Sequence, residues 1–448
     1  MRRLVLTLLL ATSALAEENA QEKGKLVENV AATRDGTQTY TLYLPTSYDA
    51  TKKHPVLVVM DPRGRGTVAA AIFREAAEEF GWILISSNQT RSDGDWEPNM
   101  KALRALMPEV AERYATDPKR VYAAGFSGTA MVSWQLGLVT GGLAGVIGVG
   151  GRNLPEFPPQ KFNFAHYGFA GFADFNNRDM RALESILMTE NKVAHRFSQF
   201  EGGHQWIGPD EARHALGWFE LLAMKNGTRP RDEALIARIW EREQARVLSG
   251  VELLEERRAL LRTFDGLRDV AALRQQVSQL ENDPAIARER EEIARWDAWE
   301  REFVDTTFSR TPQIFAAIRG QRLSPTATLL KEYRVAELKK RAMKPGAEGM
   351  AARRLLEAVF GQVNFYLPTQ LMEKKEYALA AGVIAVATEL HGDRPNVWIN
   401  LAAAQARNGD KKKALASLEK AMALGWTNVE MLRKNDDFAS IRDDPRFP

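Results

Sequence analysis

A serine stands between an apolar run and a helix-like segment in the motif Gly125-Phe126-Ser127-Gly128. A sharp turn between a strand and a helix exposes a serine hydroxyl, and a serine so placed serves mainly as a covalent nucleophile. The structural alternative is that Ser127 only caps the following helix. The usual motif is Gly-x-Ser-x-Gly, but the fifth position here is Thr129, where the helix must approach the strand. The sequence therefore predicts a nucleophile at Ser127 and identifies Thr129 as its weakest point.

A serine hydroxyl needs a base to take its proton, and the chain has six histidines. His204 lies in the loop Glu201-Gly202-Gly203-His204, directly after the predicted strand 194–200. Asp174 follows the preceding predicted strand, 163–169, and is the candidate acid that would hold the His204 tautomer. Asp179 is the alternative acid, further along on a predicted helix. We predict a Ser127, Asp174 and His204 triad, although Asp174 and His204 taken singly are typical of turns and surface loops.

Attack on a carbonyl carbon creates an oxyanion that backbone N–H groups must stabilise. Gly128, directly after the serine, is one predicted donor. The second donor is predicted in the loop Asp61-Pro62-Arg63-Gly64, which follows the apolar run 55–61. Because proline has no N–H, this donor is Arg63 or Gly64.

Several side chains at the same end of the predicted strands could contact a substrate. The guanidinium groups of Arg63 and Arg65 suit a carboxylate or phosphate, and a solvated loop is the alternative. Asn88 and Trp206 lie on neighbouring loops and could shape a pocket, with a core or surface role as the alternative. We predict Arg65, Asn88 and Trp206 as substrate-contacting residues.

Strand-like runs alternate with amphipathic stretches between about residues 39 and 225. This alternation predicts a mostly parallel sheet with helices on both faces. The stretch 150–161 is short, which predicts that no large lid is inserted there. The predicted strands are 39–44, 55–61, 82–87, 120–126, 145–149, 163–169 and 194–200, and the predicted helices are 68–80, 98–114, 127–138, 178–191 and 210–224.

The remainder of the chain is rich in Arg, Glu, Ala and Leu with apolar residues at helical spacing. We interpret residues 231–345 as amphipathic helices, and a solvated charged spacer is the alternative. Small and apolar residues then recur after about 34 positions, a spacing typical of tetratricopeptide repeats. The recurring residues are Ala380, Ile384 and Ala387, followed by Ala414, Leu418 and Ala421. Two repeats bury little apolar area, so helices of 231–345 are expected to complete the stack and residues 437–447 to cap it.

Residues 1–16 have the features of a secretory signal: Arg2 and Arg3, an apolar stretch over 4–11, and Ala14-Leu15-Ala16. The apolar stretch is too short to span a bilayer, so we predict cleavage and a mature protein with no membrane span, exported to the periplasm or beyond the cell. The net charge of +3 and the lack of a basic, aromatic-rich stripe do not favour nucleic-acid binding. The chain has no cysteine and no His-Glu-x-x-His motif, so neither a metal nor another cofactor is predicted.

Residues 39–225 resemble the α/β-hydrolase superfamily, in its secreted esterase-like and polyhydroxybutyrate-depolymerase-like branch. The motifs that carry the resemblance are Asp61-Pro62-Arg63-Gly64, Ser86-Ser87-Asn88, Ala124-Gly125-Phe126-Ser127-Gly128, Asp174-Phe175-Asn176 and Gly202-Gly203-His204. The resulting prediction is a signal over 1–16, an α/β-hydrolase domain over 17–228, a charged helical region over 229–345, and tetratricopeptide-like helices with a C-terminal cap over 346–448.

The resemblance implies hydrolysis through an acyl-enzyme at Ser127, on a small-molecule or polymeric ester. A serine peptidase with the same triad is one alternative. The other is a catalytically inactive hydrolase fold that serves as a scaffold and binds a protein or peptide partner through its helical repeats.

Overall fold

The computed structural model describes residues 22–151, 163–187 and 193–448. Its described strands form one sheet in the order β1-β2-β4-β3-β5-β6-β7-β8. Strand β2 is antiparallel to both of its neighbours. The other pairs, along the order β4-β3-β5-β6-β7-β8, are parallel. The strands are β1 (Leu26–Ala31), β2 (Thr39–Tyr43), β3 (His54–Met60), β4 (Ile83–Ser87), β5 (Thr116–Phe126), β6 (Gly145–Val149), β7 (Ala165–Gly171) and β8 (His195–Phe200).

Helices cover both faces of this sheet. One apolar cluster packs α2, α3 and α4 on one face, and a second packs α1 and α5 on the other. All seven residues of β3 are buried as a result, which is why the central strands are continuously apolar. These helices are α1 (Gly66–Phe80), α2 (Glu97–Pro108), α3 (Gly128–Thr140), α4 (Asn177–Ile186) and α5 (Pro209–Lys225).

The predicted α/β-hydrolase architecture is confirmed by this sheet and by the helical region that follows it. Strand β1 was not predicted, because only one of its six residues is buried and its sequence has no clear alternation. The predicted helix 98–114 ends instead at Pro108, and a π-helical turn continues over Glu109–Arg113. The predicted signal over 1–16, most of the stretch 150–161 and the end of the predicted helix 178–191 lie outside the described residues.

Three further helices belong to the same compact unit as the sheet: α6 (Glu233–Gln244), α7 (Gly250–Phe264) and α8 (Ala271–Glu281). Leu221 and Met224 of α5 share an apolar cluster with Leu235 of α6 and Phe264 of α7. These helices are therefore packed, and they do not form a solvated spacer. The compact units divide between Glu289 and Arg290, not at the predicted boundaries 228/229 and 345/346.

The second compact unit, Arg290–Pro448, is helical throughout its described elements. The division falls inside α9 (Pro284–Thr307). The helices that follow are α10 (Thr311–Gln321), α11 (Pro325–Glu332), α12 (Val335–Ala342), α13 (Gly346–Gly361), α14 (Leu367–Glu373), α15 (Tyr377–His391), α16 (Pro395–Arg407), α17 (Lys411–Ala423) and α18 (Val429–Lys434). No described helix is both long enough and apolar enough to cross a membrane.

The residues of the predicted repeat are buried on α15 and α17, with α16 between them in the chain. Phe303, Tyr333 and Leu338, from α9 to α12, share one apolar cluster with α13, α15 and α16. The stack is therefore extended by helices after residue 290 and not by those at 233–281, which pack in the other unit. Phe438 is buried at the C-terminal end, with Phe447 against it. The assignment of these helices to the tetratricopeptide family stays a prediction.

Candidate active site

Ser127 occupies a sharp turn between β5 and α3, with φ 54° and ψ −129°. A non-glycine residue with these backbone angles is strained by about 1–3 kcal/mol. Such strain is typical of a nucleophilic serine on a sharp turn between a strand and a helix. The Ser127 N–H donates to the Val149 carbonyl at the end of β6 (2.8 Å), which helps to hold the turn. The side chain makes no capping hydrogen bond, so the alternative in which Ser127 merely caps the helix is wrong.

The structure brings Ser127, His204 and Asp174 together in one hydrogen-bonded line. Nε2 of His204 lies 2.9 Å from Ser127 Oγ. Nδ1 of the same ring lies 3.0 Å and 3.2 Å from the two carboxylate oxygens of Asp174. When the Nδ1 proton is donated to Asp174, Nε2 is left to accept the serine hydroxyl. The arrangement can therefore withdraw the serine proton and stabilise the imidazolium that results.

Asp174 is fully buried, and its position is set by neighbouring loops. The Asn176 N–H donates to Oδ1 at 2.8 Å, and the Asn176 side chain donates to the Gly150 carbonyl at 2.8 Å. Gly150 has φ +52°, and a Cβ there would lie 2.6 Å from Asp174 Oδ2, so the position needs glycine. The Ala173 N–H donates to the Gly202 carbonyl at 2.9 Å, which joins the acid loop to the histidine loop.

Two aromatic rings pack against the His204 ring. Its centroid is 4.7 Å from that of Phe126 and 4.3 Å from that of Phe175. The side chain of His204 is 19% exposed, so a reactant can reach it although its two flanks are covered. These two ring contacts limit ring rotation and help to keep Nε2 directed at Ser127.

Thr129 is buried and its hydroxyl is fully hydrogen-bonded. The Phe126 N–H donates to Oγ1 at 3.1 Å, and Oγ1 lies 2.7 Å from the Met60 carbonyl oxygen and 2.8 Å from that of Phe126. The close approach of helix and strand occurs at Gly125, where a Cβ would lie 2.1 Å from the Thr129 carbonyl oxygen. Threonine at the fifth position is therefore accommodated without widening the turn, because its side chain points to the end of β3.

The predicted oxyanion donors differ in their availability. Among the described residues the Gly128 N–H, in the first turn of α3, has no acceptor, and the positive end of the helix lies there. The Arg63 N–H donates to the Asp61 carboxylate at 2.8 Å, and the Gly64 N–H donates to the Asp61 carbonyl at 3.1 Å. Either group must give up its Asp61 contact to serve as a second donor.

The predicted substrate contacts are engaged with the protein itself. Arg65 binds the Asp61 carboxylate through two nitrogens, at 3.0 Å and 2.9 Å, and its side chain is 43% exposed. The Trp206 indole N–H donates to Asp61 Oδ2 at 2.9 Å. The Asn88 amide donates to Thr39 Oγ1 at 3.0 Å, where it ties the loop after β4 to β2. These three positions therefore support the loops of the site.

Sequence reasoning missed three contributors to the site. Phe175 and Asn176 were visible only as neighbours of Asp174, and nothing local indicates that their side chains turn towards His204 and Gly150. Asp61 was predicted only as part of the loop motif Asp61-Pro62-Arg63-Gly64, and not as the group that joins several loops. The chemical signal for Asp61 was a carboxylate placed directly after a fully apolar strand, where an uncompensated charge would be costly.

The other ionisable candidates lie outside the hydrogen-bonded line. Asp179, the alternative acid, pairs with Arg178 on α4 at 2.9 Å. His54 contacts the Gly81 carbonyl, His166 packs on Trp134, and His214 and His391 contact Glu243 and Glu357 respectively. Within the described ranges, no three His, Asp or Glu side chains are grouped so as to hold a metal ion.

No protein-family model matches this sequence, and no curated protein matches it either. Solved structures that resemble it include FphF, a fluorophosphonate-binding serine hydrolase of Staphylococcus aureus, with 16% identity, 44% of this chain and 99% of that chain covered, and a TM-score of 0.35. An esterase of Pyrobaculum calidifontis has 11% identity, coverage of 48% and 90%, and a TM-score of 0.37. The S-formylglutathione hydrolase FrmB of Staphylococcus aureus has 13% identity, coverage of 44% and 95%, and a TM-score of 0.34. Likenesses this weak do not indicate a reaction or a substrate.

Proposed function

We propose that this chain is a serine hydrolase that cleaves carboxylic esters through an acyl-enzyme on Ser127. The observation that supports it best is the hydrogen-bonded line from Ser127 Oγ through His204 to the buried carboxylate of Asp174, with distances of 2.9 Å and 3.0 Å. The strained turn at Ser127 is a second support, since strain of this kind is typical of functional sites.

In the proposed reaction, Ser127 Oγ attacks the carbonyl carbon of the ester while Nε2 of His204 takes the hydroxyl proton. Asp174 holds the ring through Nδ1 and stabilises the imidazolium, as the acid of a serine triad does. The carbonyl oxygen becomes an oxyanion that accepts a hydrogen bond from the Gly128 N–H at the start of α3. His204 then returns the proton to the alcohol oxygen as the carbon–oxygen bond breaks.

The second half of the reaction releases the acid. Water attacks the acyl carbon, and Nε2 of His204 takes a proton from it. The Ser127 oxygen leaves as the second oxyanion collapses, and His204 returns a proton to it. A second oxyanion donor would come from Arg63 or Gly64, whose N–H groups would exchange the Asp61 acceptor for the oxyanion.

The Arg63 and Gly64 N–H groups both donate hydrogen bonds to Asp61, and this favours one further candidate function. In it, the hydrolase fold is inactive and the chain is a scaffold whose helices after residue 346 bind a protein or peptide partner. A site with a single oxyanion donor would lose about 10²–10³-fold in rate.

A fluorophosphonate probe tests the proposal, because it forms a covalent bond only with an activated serine. We expect wild-type protein to be labelled and Ser127→Ala to remain unlabelled. Ser198→Ala is a matched control, because Ser198 is a buried serine of the same unit that pairs with Tyr167 at 3.0 Å, and it should label like wild type. A folded wild type that stays unlabelled would favour the scaffold, whereas labelling that survives in Ser127→Ala would refute the nucleophile.

The substrate class needs a separate comparison. We expect turnover of p-nitrophenyl acyl esters and no turnover of peptide p-nitroanilides. The reverse preference would identify a serine peptidase with the same triad.

Export is also proposed, on the support of the two arginines, the apolar stretch and Ala14-Leu15-Ala16 in the first 16 residues. We expect N-terminal sequencing of the mature protein to begin at Glu17, with the protein in the periplasm or medium. A mature protein that begins at Met1 inside the cell would refute it.

A further inference from the structure

We infer that the hydrogen bond from the Trp206 indole to Asp61 is a positioning link, which sets His204 and the loop of residues 61–66 relative to Ser127. The inference deepens the proposed function and rests on it. Neither residue touches the reacting atoms, and both act by placing the groups that do.

The Asp61 carboxylate is completely buried and is surrounded by N–H donors. Oδ1 accepts the backbone N–H groups of Arg63 (2.8 Å) and Arg65 (3.3 Å) and the Nε–H of Arg65 (3.0 Å). Oδ2 accepts a terminal N–H of Arg65 (2.9 Å) and the Trp206 indole N–H (2.9 Å). Four of these five bonds stay within the loop 61–66, and only the bond from Trp206 leaves it.

Trp206 lies two residues after His204, so its bond to Asp61 fixes the chain that carries the base. The indole ring also packs on Phe126, with centroids 5.6 Å apart, and edge-on against Phe73 at 6.1 Å. Phe126 in turn lies 4.7 Å from the His204 ring. The His204 ring is therefore held by Asp174 through Nδ1 and by Phe126, which in turn packs on Trp206.

Asp61 is also joined to the remaining loops of the site through backbone carbonyl groups at the end of β3. The Asp61 carbonyl accepts the Thr90 hydroxyl at 3.1 Å, and the preceding carbonyl, of Met60, accepts from Thr129 at 2.7 Å. The end of β3 thus connects the loop after β4, the turn at Ser127 and, through Trp206, the histidine loop. Without the indole bond, the histidine loop would lose its side-chain link to this point.

The charge of Asp61 makes the link stronger than one between neutral groups. Burial alone would raise the pKa of Asp61, but hydrogen bonds from Arg65, Trp206 and Arg63 outweigh it and hold the pKa below its usual value. An ionised carboxylate accepts on every lone pair, and charge-assisted hydrogen bonds are about twice as strong as neutral ones. The indole N–H, which can only donate, is matched to such an acceptor.

The test is Trp206→Phe, which keeps an aromatic ring and removes the N–H. We expect kcat for an ester substrate and the rate of fluorophosphonate labelling to fall by about 10–100-fold, because a catalytic group displaced by about 1 Å can cost 10²-fold. KM should change by less than about 3-fold, since no substrate contact is removed. The acidic limb of the pH profile of kcat/KM should also move. Trp218→Phe is the matched control: its indole donates to Thr263 at 3.1 Å in the same unit, and its loss should leave all four measurements unchanged.

Asp61→Ala supplies the second arm, because it removes both carboxylate oxygens and leaves the Trp206 indole N–H without its acceptor. We expect the double variant with Trp206→Phe to be no slower than Asp61→Ala alone, since both substitutions remove the same interaction. Should Asp61→Ala fail to fold, Trp206→Phe decides alone. If wild type is labelled and Trp206→Phe reacts at wild-type rates, the inference is overturned and the proposed function is not. The same holds if the rate losses of the two single variants multiply in the double variant. An unlabelled wild type would overturn the proposed function and the inference with it.

Discussion

The hydroxyl of Thr129 is a buried group whose three contacts, to Met60 and Phe126, hold the serine turn against the end of β3. The carboxylate of Asp61 does the same for the loop that follows β3. Both residues are buried and hydrogen-bonded, and Thr129 departs from the usual motif. At the scale of single residues, this departure is therefore accommodated by polar contacts.

Replacing Thr129 by valine keeps the shape and removes the hydroxyl. The Phe126 N–H and the Met60 carbonyl then lose a buried partner, which should cost about 1–3 kcal/mol of unfolding free energy and slow fluorophosphonate labelling. Urea denaturation and labelling kinetics measure the two effects. Thr129→Ser, which keeps the hydroxyl, should stay within about 1 kcal/mol of wild type. Equal loss in both variants would show that the hydroxyl contributes nothing.

His166 predicts a pH dependence of stability. Burial, with a smaller contribution from His195, lowers the pKa of His166 to about 3. The unfolded chain binds a proton at this residue below about pH 6.5 and the folded chain does not. Unfolding free energy should therefore fall as pH drops from about 6.5 towards 3, by up to about 1.4 kcal/mol per pH unit.

Urea denaturation between pH 7 and pH 4 measures this slope. His166→Gln, which cannot titrate, should flatten it, whereas His391→Gln in the second unit should not. A slope unchanged in His166→Gln would contradict the prediction.

The turn between β5 and α3 is the element that presents the proposed nucleophile. Its serine has φ 54° and ψ −129°, a conformation that glycine adopts without strain and other residues do not. The Ser127 N–H bond to Val149 and the Thr129 bonds oppose relaxation of the turn. The strain is therefore a property of the whole strand-turn-helix element, which holds the hydroxyl towards His204.

Comparing Ser127→Gly with Ser127→Ala isolates this strain. Both variants should be inactive, but the glycine variant should be about 1 kcal/mol more stable, because relief of about 1–3 kcal/mol of strain exceeds the entropy that glycine adds to the unfolded chain. Ser133, inside α3, gives the control of opposite sign: Ser133→Gly should be about 1 kcal/mol less stable than Ser133→Ala. Thermal or urea denaturation decides. A less stable Ser127→Gly would show that the turn is not strained.

The helices α6 to α8 belong with the sheet in the first compact unit. Arg196 of β8 is almost wholly buried, and one of its nitrogens lies 2.7 Å from Glu243 of α6 and 2.6 Å from Glu256 of α7. His214 of α5 lies 2.6 Å from Glu243. These contacts fall on the strand before the histidine loop and on the helix after it, so at the scale of the molecule the helices hold both flanks of that loop.

A chain that ends at residue 228 should therefore fail to fold into a unit that a fluorophosphonate labels. It would expose Leu221 and Met224 and leave Arg196 as an uncompensated buried charge, a change that costs about 3–5 kcal/mol. A chain that ends at residue 289 should be soluble and labelled by a fluorophosphonate at about the wild-type rate. Soluble yield, circular dichroism and labelling compare the two chains. Labelling of the shorter chain at the wild-type rate would contradict the prediction.

Much of the fold and the candidate residues of the site could be predicted from the sequence. The alternation of apolar runs and amphipathic stretches predicted all the parallel strands and the helices between them, because hydrophobic periodicity is a local property. The same local order placed Ser127, Asp174 and His204 each after its own strand. In a parallel sheet the carboxyl ends of the strands lie at one edge, so chain order was enough to predict that the three side chains meet.

Tertiary structure alone decided how the site is held. Trp206 and Asp61 are 145 positions apart, and no spacing predicts that an indole and a carboxylate meet across that distance. The packing of α6 to α8 against α5 and the division at residue 289 likewise depend on contacts between distant segments. Local sequence patterns predict which face of a helix or strand is buried. The element that packs against this face is decided only when the chain has folded.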